Sequence, residues 1–115
     1  MKLVIAIIQP TKLNAVKEAL TRCGVERMTV CDAQGYGRQR GQTQLYRGRE
    51  YKIEMLRKIE IEIVVNDDFL DRTLEAIMSV ARTGPEGTIG DGKIFVLPVD
   101  ETIRISQTVR GPEAV

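Results

Sequence analysis

Two uninterrupted aliphatic runs constrain the fold of this chain more than any other feature. Leu3 to Ile8 and Ile94 to Val99 are apolar at both odd and even positions. Successive side chains of a β-strand point to opposite faces, so a strand with this pattern is covered on both sides. The sequence therefore predicts a sheet whose two faces are both hidden from water.

Two helix patterns lie between the predicted strands. The first follows Pro10, with Thr11 as its expected cap, Gly24 as its stop and an apolar face of Leu13, Val16, Leu20 and Cys23. The second follows Asn66 as cap, with two aspartates in its first turn and an apolar stripe of Leu70, Leu74, Ile77 and Ala81. Each helix has one apolar face, so each is expected to pack on a sheet.

The predicted strands are Lys2 to Ile8, Val25 to Ala33, the alternating segment Lys58 to Val65, and Ile94 to Val99. A further short strand is expected at 102–105, followed by a loosely held tail over 106–115. The order is β-α-β-β-α-β, which predicts an α+β, ferredoxin-like sandwich. Two helices cover only one face of a four-stranded sheet, so self-association in a closed ring is the economical way to hide the other.

Composition limits the class of protein. The 115 residues predict one domain, and no apolar run approaches the roughly 18 residues that span a bilayer. The first residues read as a strand and lack a signal peptide's charged region and cleavage site, which favours the cytoplasm. Two cysteines and no histidine argue against a zinc centre and against hydrolases that pair histidine with cysteine or serine. Cys23 and Cys31 are predicted to be packing residues.

Charge is concentrated in the long segment between the second and third strands. Gly35 to Lys58 holds seven basic and two acidic residues, which leaves ten basic and fourteen acidic residues for the rest of the chain. All three tyrosines lie there too. A long, basic, glycine-containing segment is typical of a recognition loop, and the alternative is a solvated β-ribbon without a partner. An RNA-binding sheet is disfavoured because the predicted strands contain only one aromatic residue, Phe95.

A glycine-rich segment, residues 83–92, leads into Lys93 and the last strand. Four glycines there permit positive φ angles, and the lysine can reach an anion, so a nucleotide phosphate is the natural ligand. The spacing is not that of a Walker A motif, and a simple turn set by Asp91-Gly92 is the alternative.

Three motifs in this order resemble the PII family of nitrogen-regulatory signal-transduction proteins. They are Gly-Tyr-Gly-Arg-Gln-Arg-Gly at 35–41 with its continuation to Tyr51, the strand at 58–65, and Ile-Gly-Asp-Gly-Lys-Ile-Phe-Val at 89–96. The resemblance covers residues 1 to about 105. It identifies residues 37–55 with the family's T-loop and 83–92 with its B-loop.

The resemblance implies a homotrimer with ATP or ADP sites in the clefts between neighbouring subunits. The nucleotide-binding residues it implies are Thr29, Gly37, Arg38, Gln39, Glu62, Val64, Gly90, Asp91, Gly92, Lys93 and Arg104. Gln39 would complete the coordination of Mg²⁺ on the ATP phosphates. Gln39 and Lys58 would bind 2-oxoglutarate as effector. These ligands would control the T-loop and thereby the choice of protein partner.

The same resemblance implies roles at the T-loop tip. Arg47 matches the arginine by which family members plug an ammonium channel, so an ammonium transporter and enzymes or regulators of nitrogen metabolism are the expected partners. Tyr51 matches a tyrosine that some members carry nucleotidylated, and an exposed tyrosine that is never modified is the equal alternative. Arg49 replaces a serine that is modified in other members.

Three departures from the family pattern affect the expected site. Pro85 to Gly87 are extra residues in the B-loop, Ser106 replaces the second arginine of an Arg-Ile-Arg motif, and Arg27 replaces a glycine. Loss of one charged contact to phosphate costs about 1.5 to 3 kcal/mol. Two alternatives follow: a diverged adenine-nucleotide sensor with another small effector, and a weak ATPase. Regulation without catalysis remains the main prediction.

Overall fold

The structure, a computed structural model, describes residues 1–37 and 54–115. Its strands are β1 (Lys2–Ile8), β2 (Thr29–Gly37), β3 (Glu54–Val65) and β4 (Gly92–Pro98), and its α-helices are α1 (Leu13–Arg22) and α2 (Asp67–Ala81). Short 3₁₀ helices cover Pro10–Lys12 and Gly111–Ala114. The chain order is β-α-β-β-α-β, as the sequence predicts.

The four strands form one antiparallel sheet in the order β2-β3-β1-β4. β1 is central, and its Ile5 lies opposite Glu62 of β3 and Phe95 of β4. Both helices pack on the same face. The buried core there combines sheet residues with helix residues: Val4, Ala6, Ile8, Ile59, Ile61, Ile63, Val65, Val16, Leu20 and Ile77.

The opposite face of the sheet is open, and it is mainly apolar along β1 and β4, whereas β3 places Glu60 and Glu62 on it. Leu3, Ile5 and Ile7 are only half-buried there, while Phe95 and Leu97 keep 48% and 41% of their surface exposed. The predicted second apolar face is therefore present, and the described part of the chain does not cover it. Cys31 lies on this open face and is exposed, whereas Cys23 packs against the core.

β3 is longer than predicted, and β2 is shifted toward the long loop without a change in length. β2 starts at Thr29 rather than Val25, and β3 starts at Glu54 rather than Lys58. The extra pairing runs from Gln34 opposite Arg57 to Gly37 opposite Glu54. Periodicity misses this ribbon because backbone pairing sustains it without a buried side-chain face.

The predicted N-cap position is confirmed for α2 but not for α1, and neither helix has a side-chain cap hydrogen bond. The 3₁₀ turn takes up Thr11, so α1 begins at Leu13 without a side-chain cap. Asn66 holds the N-cap position of α2, but its amide donates to the Pro112 carbonyl at 3.2 Å instead of accepting from the helix. Among the described residues, no helix is long and apolar enough to cross a membrane.

The segment after β4 is more ordered than predicted. The expected strand at 102–105 is reduced to one bridge between Ile103 and Arg110. The tail then turns back onto the body, where Ala114 is buried and Arg27 donates to the Val115 carbonyl at 3.4 Å. Composition alone does not reveal these contacts, because most of them use backbone carbonyls.

Candidate functional site

The glycine-rich loop joins α2 to β4 through several backbone conformations that favour glycine. Gly90 and Gly92 have φ angles of 100° and 114°. A Cβ on Gly92 would lie 1.8 Å from the carbonyl oxygen of Ile7, so β4 can meet β1 only if this residue is glycine. The glycines therefore fix where the loop meets the sheet, as well as permitting its turns.

Asp91 organises this loop from within. Its Oδ2 accepts hydrogen bonds from the backbone amides of Thr83 at 2.9 Å and Thr88 at 2.8 Å, and its Oδ1 accepts from the Thr83 hydroxyl at 2.6 Å. The hydrogen bond from the Thr83 side chain is the main cause that lowers the pKa of Asp91. The carboxylate closes a ring around residues 85–87. This places the predicted ligand Asp91 in a supporting position within the loop.

Two donors from the sheet hold the other side of the loop. Lys58 Nζ donates to the Gly90 carbonyl at 2.7 Å, and Gln9 Nε2 donates to the same oxygen at 2.6 Å. Lys58 is 7% exposed, and this burial lowers its pKa, while the charge of Asp91 acts in the opposite direction. We call Gln9, Lys58 and residues 90–93 the loop cluster.

Gln9 is a site residue that the sequence analysis did not single out. It lies between the end of β1 and Pro10, where it reads as a connecting residue. The one sequence feature that could indicate a role for Gln9 is its position as a polar residue directly after the buried strand β1. The Lys93 side chain belongs to the same cluster and is exposed, so its amine is accessible to an anion.

A second group of predicted residues meets at the far end of the sheet. Thr29 and Glu62 are direct partners across β2 and β3, and Val64 lies two residues further along β3. They share a pocket of about 310 Å³ that is lined in addition by Leu3, Arg27, Met28, Thr102, Ala114 and Val115. We call this the sheet pocket. Its walls come from β1, β2, β3 and the tail.

Arg104 lies in the segment that leads to the tail. Its guanidinium donates to the Gln107 side chain at 3.1 Å and to the Glu113 carbonyl at 3.3 Å. Ser106, in place of the expected second arginine, is exposed. One cation of the expected pair is therefore present, and it is held by neighbours in its own segment.

The loop cluster and the sheet pocket lie apart in the chain. Lys93 is in register with Ile7, and Val64 with Leu3, which separates them by four residues along β1. At about 3.4 Å per residue this corresponds to roughly 14 Å along the strands. The described residues thus bring the predicted ligands together in two groups.

Four predicted residues, Arg38, Gln39, Arg47 and Tyr51, lie outside the described residues. Gly37 is the last residue of β2, so the described ribbon leads directly to them. Within residues 1–37 and 54–115, no group of three or more acidic or cysteine side chains could hold a metal ion. The predicted Mg²⁺ contact, Gln39, belongs to the part that is not described.

Comparison with known proteins identifies the family of this chain. The family model for the nitrogen regulatory protein P-II matches residues 1–109. The nitrogen regulatory protein P-II of Azospirillum brasilense is 50% identical over 115 residues, with 100% of both chains aligned. The nitrogen regulatory protein GlnK1 of Methanosarcina mazei is also 50% identical, across 100% of this chain and 97% of that protein. A crystal structure of Arabidopsis thaliana PII bound to citrate superimposes with a TM-score of 0.79 at 35% identity, and it covers 99% of this chain and 91% of that chain. With a matching fold, sequence and order of motifs, the chain belongs to the P-II family of nitrogen regulatory proteins.

Proposed function

We propose that this protein is a cytoplasmic homotrimer that senses adenine nucleotides and 2-oxoglutarate and reports them through the conformation of residues 37–55. The observation that carries the proposal is the loop cluster. There the carboxylate of Asp91 is hydrogen-bonded within the glycine-rich loop. The buried Lys58 and the exposed Lys93 lie together at one edge of this loop. A polyanionic ligand suits this arrangement, since both lysines offer charge-assisted hydrogen bonds.

The nucleotide is proposed to connect the two groups of residues across a subunit boundary. Gly90, Gly92 and Lys93 would hold the phosphates together with Gly37, Arg38 and Arg104, while Thr29 and Val64 would border the adenine and Glu62 the ribose. The open apolar face of the sheet supports association, because its exposed Phe95 and Leu97 are costly to leave in water. A neighbouring subunit could then place its sheet pocket next to the loop cluster of this chain.

The effector is proposed to be a carboxylate at Lys58. The citrate in the Arabidopsis PII structure supports this ligand class, since citrate is also a small polycarboxylate. Mg²⁺ is a hard cation that takes oxygen ligands and is usually held in part by substrate phosphates. The Gln39 side chain would add one such oxygen, and the bound metal would bring a positive charge close to the effector.

The route from ligand to partner follows the β2–β3 ribbon. Lys58 is on β3, opposite Ala33 of β2, and the ribbon continues to Gly37 and Glu54 at the edges of the T-loop. A ligand that changes the position of Lys58 would bias the loop, and a partner that prefers one loop state would change ligand affinity in return. Arg47 is proposed to contact an ammonium transporter, and Tyr51 is proposed as a nucleotidylation site.

Calorimetric titration tests this function. The protein should bind ATP and ADP, and 2-oxoglutarate should bind tightly only with Mg²⁺ and ATP present. Lys93→Met should weaken ATP binding by about tenfold through loss of one charged contact, whereas Lys17→Met on the exposed side of α1 should not. Absence of ATP binding at millimolar concentration would reject the sensor. ATP binding that 2-oxoglutarate leaves unchanged would require another effector, and multiple-turnover phosphate release would favour the ATPase.

A further inference from the structure

The Gly90 carbonyl is held by two side chains of different character. Gln9 reaches it from the end of β1 at 2.6 Å, and Lys58 reaches it from β3 at 2.7 Å. A carbonyl oxygen has two lone pairs, so these two donors satisfy it fully. The contact is partly buried, which raises the cost of leaving the oxygen without a donor.

The two donors respond differently to an anion. Lys58 carries a charge, so a carboxylate can draw its amine away from the carbonyl. Gln9 is neutral and has no comparable attraction to the anion. When Lys58 turns to an effector, Gln9 is the donor that remains on Gly90 within the described part of the chain.

We propose that Gln9 is a positioning residue that keeps the Gly90 carbonyl bonded while Lys58 turns to an anionic effector, and thereby sets the affinity for that effector. This inference rests on the proposed function of Lys58. Without Gln9, each binding event would leave a partly buried carbonyl unpaired. Effector affinity should then fall by about 5- to 50-fold. The glycine-rich loop would stay in place in the unliganded protein, because Lys58 still holds it.

The first test titrates 2-oxoglutarate into the full-length protein saturated with ATP and Mg²⁺. Gln9→Met keeps the length of the side chain and removes its donor. It should weaken 2-oxoglutarate binding by 5- to 50-fold and change ATP affinity by less than about threefold. Asn14→Leu, a matched loss of an exposed amide on α1, should change neither affinity. Equal loss of both affinities, or no loss for 2-oxoglutarate, would overturn the role of Gln9. If the unmodified protein does not bind 2-oxoglutarate, the proposed function fails at the effector.

The second test needs no ligand and separates the two ideas. Amide hydrogen exchange over residues 88–91 is compared in Gln9→Met, Lys58→Met and the double variant. Each single variant retains one donor on Gly90 and should speed exchange by less than about threefold. The double variant should speed it more than tenfold, because the carbonyl then has no side-chain donor. Additive effects of the two substitutions would show that they do not share one acceptor, which would overturn the inference.

Discussion

The loop cluster and the sheet pocket are built in opposite ways. The loop cluster is held by directed hydrogen bonds: three donors converge on the Asp91 carboxylate and two on the Gly90 carbonyl. The sheet pocket is an open hollow between three strands and the tail, in which Thr29, Glu62 and Val64 lie side by side because of strand register. One is preorganised by its own polar contacts, and the other depends on the positions of separate elements.

If the two regions form the proposed nucleotide site, this difference determines how each would contribute to binding. A phosphate site requires fixed charges and backbone groups, and preorganisation lowers the entropic cost of binding there. A base site requires mainly a flat apolar surface, which the edges of a sheet supply without local ordering. Substitutions at Asp91 and Gly92 in the glycine-rich loop should therefore change both stability and affinity, whereas substitutions in the sheet pocket should change mainly affinity.

Gly92→Ala should have the largest effect. The new methyl group would meet the Ile7 carbonyl, and the backbone has a positive φ, so β4 must move away from β1. We expect a loss of about 3 kcal/mol or more in unfolding free energy, measured by urea denaturation. Gly84→Ala is the matched control, because that glycine also has a positive φ but open space around it, and it should cost only about 1 kcal/mol. Equal costs would contradict the role of close strand contact.

Asp91→Asn should have the next largest effect. The amide group cannot accept hydrogen bonds at both positions, so the loop loses a charged acceptor in a partly solvated place. We expect a cost of roughly 1 to 2 kcal/mol and faster hydrogen exchange at the Thr83 and Thr88 amides. Unchanged exchange at those two amides would show that Asp91 does not organise the loop.

The loss of unfolding free energy caused by Asp91→Asn should depend on pH in one defined direction. The folded protein lowers the pKa of Asp91, so its carboxylate stabilises the fold above the unfolded pKa, and this stability is lost as the pH falls through the folded value. The difference in unfolding free energy between the wild type and Asp91→Asn should be constant above about pH 5. It should shrink as the pH falls below about 4. A difference that grows on acidification would be inconsistent with this assignment.

Val64→Ala should affect affinity more than stability. Val64 is half-buried on the open face of the sheet, so removing two methyl groups should cost only about 0.5 to 1 kcal/mol in unfolding free energy. ATP affinity should fall by about fivefold, measured by calorimetry, because the adenine loses an apolar contact. An unchanged ATP affinity would remove the sheet pocket from the nucleotide site.

Lys58→Met should have the smallest effect on stability. Burial disfavours the charged amine and lowers its pKa, and Gln9 still bonds Gly90, so unfolding free energy should change by less than about 0.5 kcal/mol near pH 7. With a lowered folded pKa, the wild type should gain stability relative to the variant as the pH rises toward about 10.4. Binding of 2-oxoglutarate should be lost. Retained binding would exclude Lys58 from the effector site.

Sequence patterns predicted the parts of the fold that depend on buried side chains. The alternation at Lys58 to Val65 gave the core face of β3, and the aliphatic runs gave β1, β4 and the open apolar face. The outer ribbon was missed because its pairing is made by backbone groups. The tail contacts were missed for the same reason, since Asn66 and Arg27 both donate to backbone carbonyls.

For the candidate site, the sequence indicates which residue types lie in the glycine-rich loop but not how they contact one another. Glycines followed by Lys93 indicated an anion loop, but no local pattern shows that Asp91 turns inward to Thr83. Gln9 and Gly90 are 81 positions apart in the chain, and their contact appears only when β1 and β4 pair. Such roles depend on tertiary contacts, which a single sequence does not display.

A hydrogen-exchange titration with ATP and Mg²⁺ tests whether the loop cluster and the sheet pocket bind the same nucleotide. Exchange is followed at residues 88–93 and at residues 27–29 and 62–64 in the same samples. Both regions should gain protection with the same ATP midpoint. The loop should exchange slowly even before ATP is added. Protection confined to one region, or two different midpoints, would contradict a single shared site.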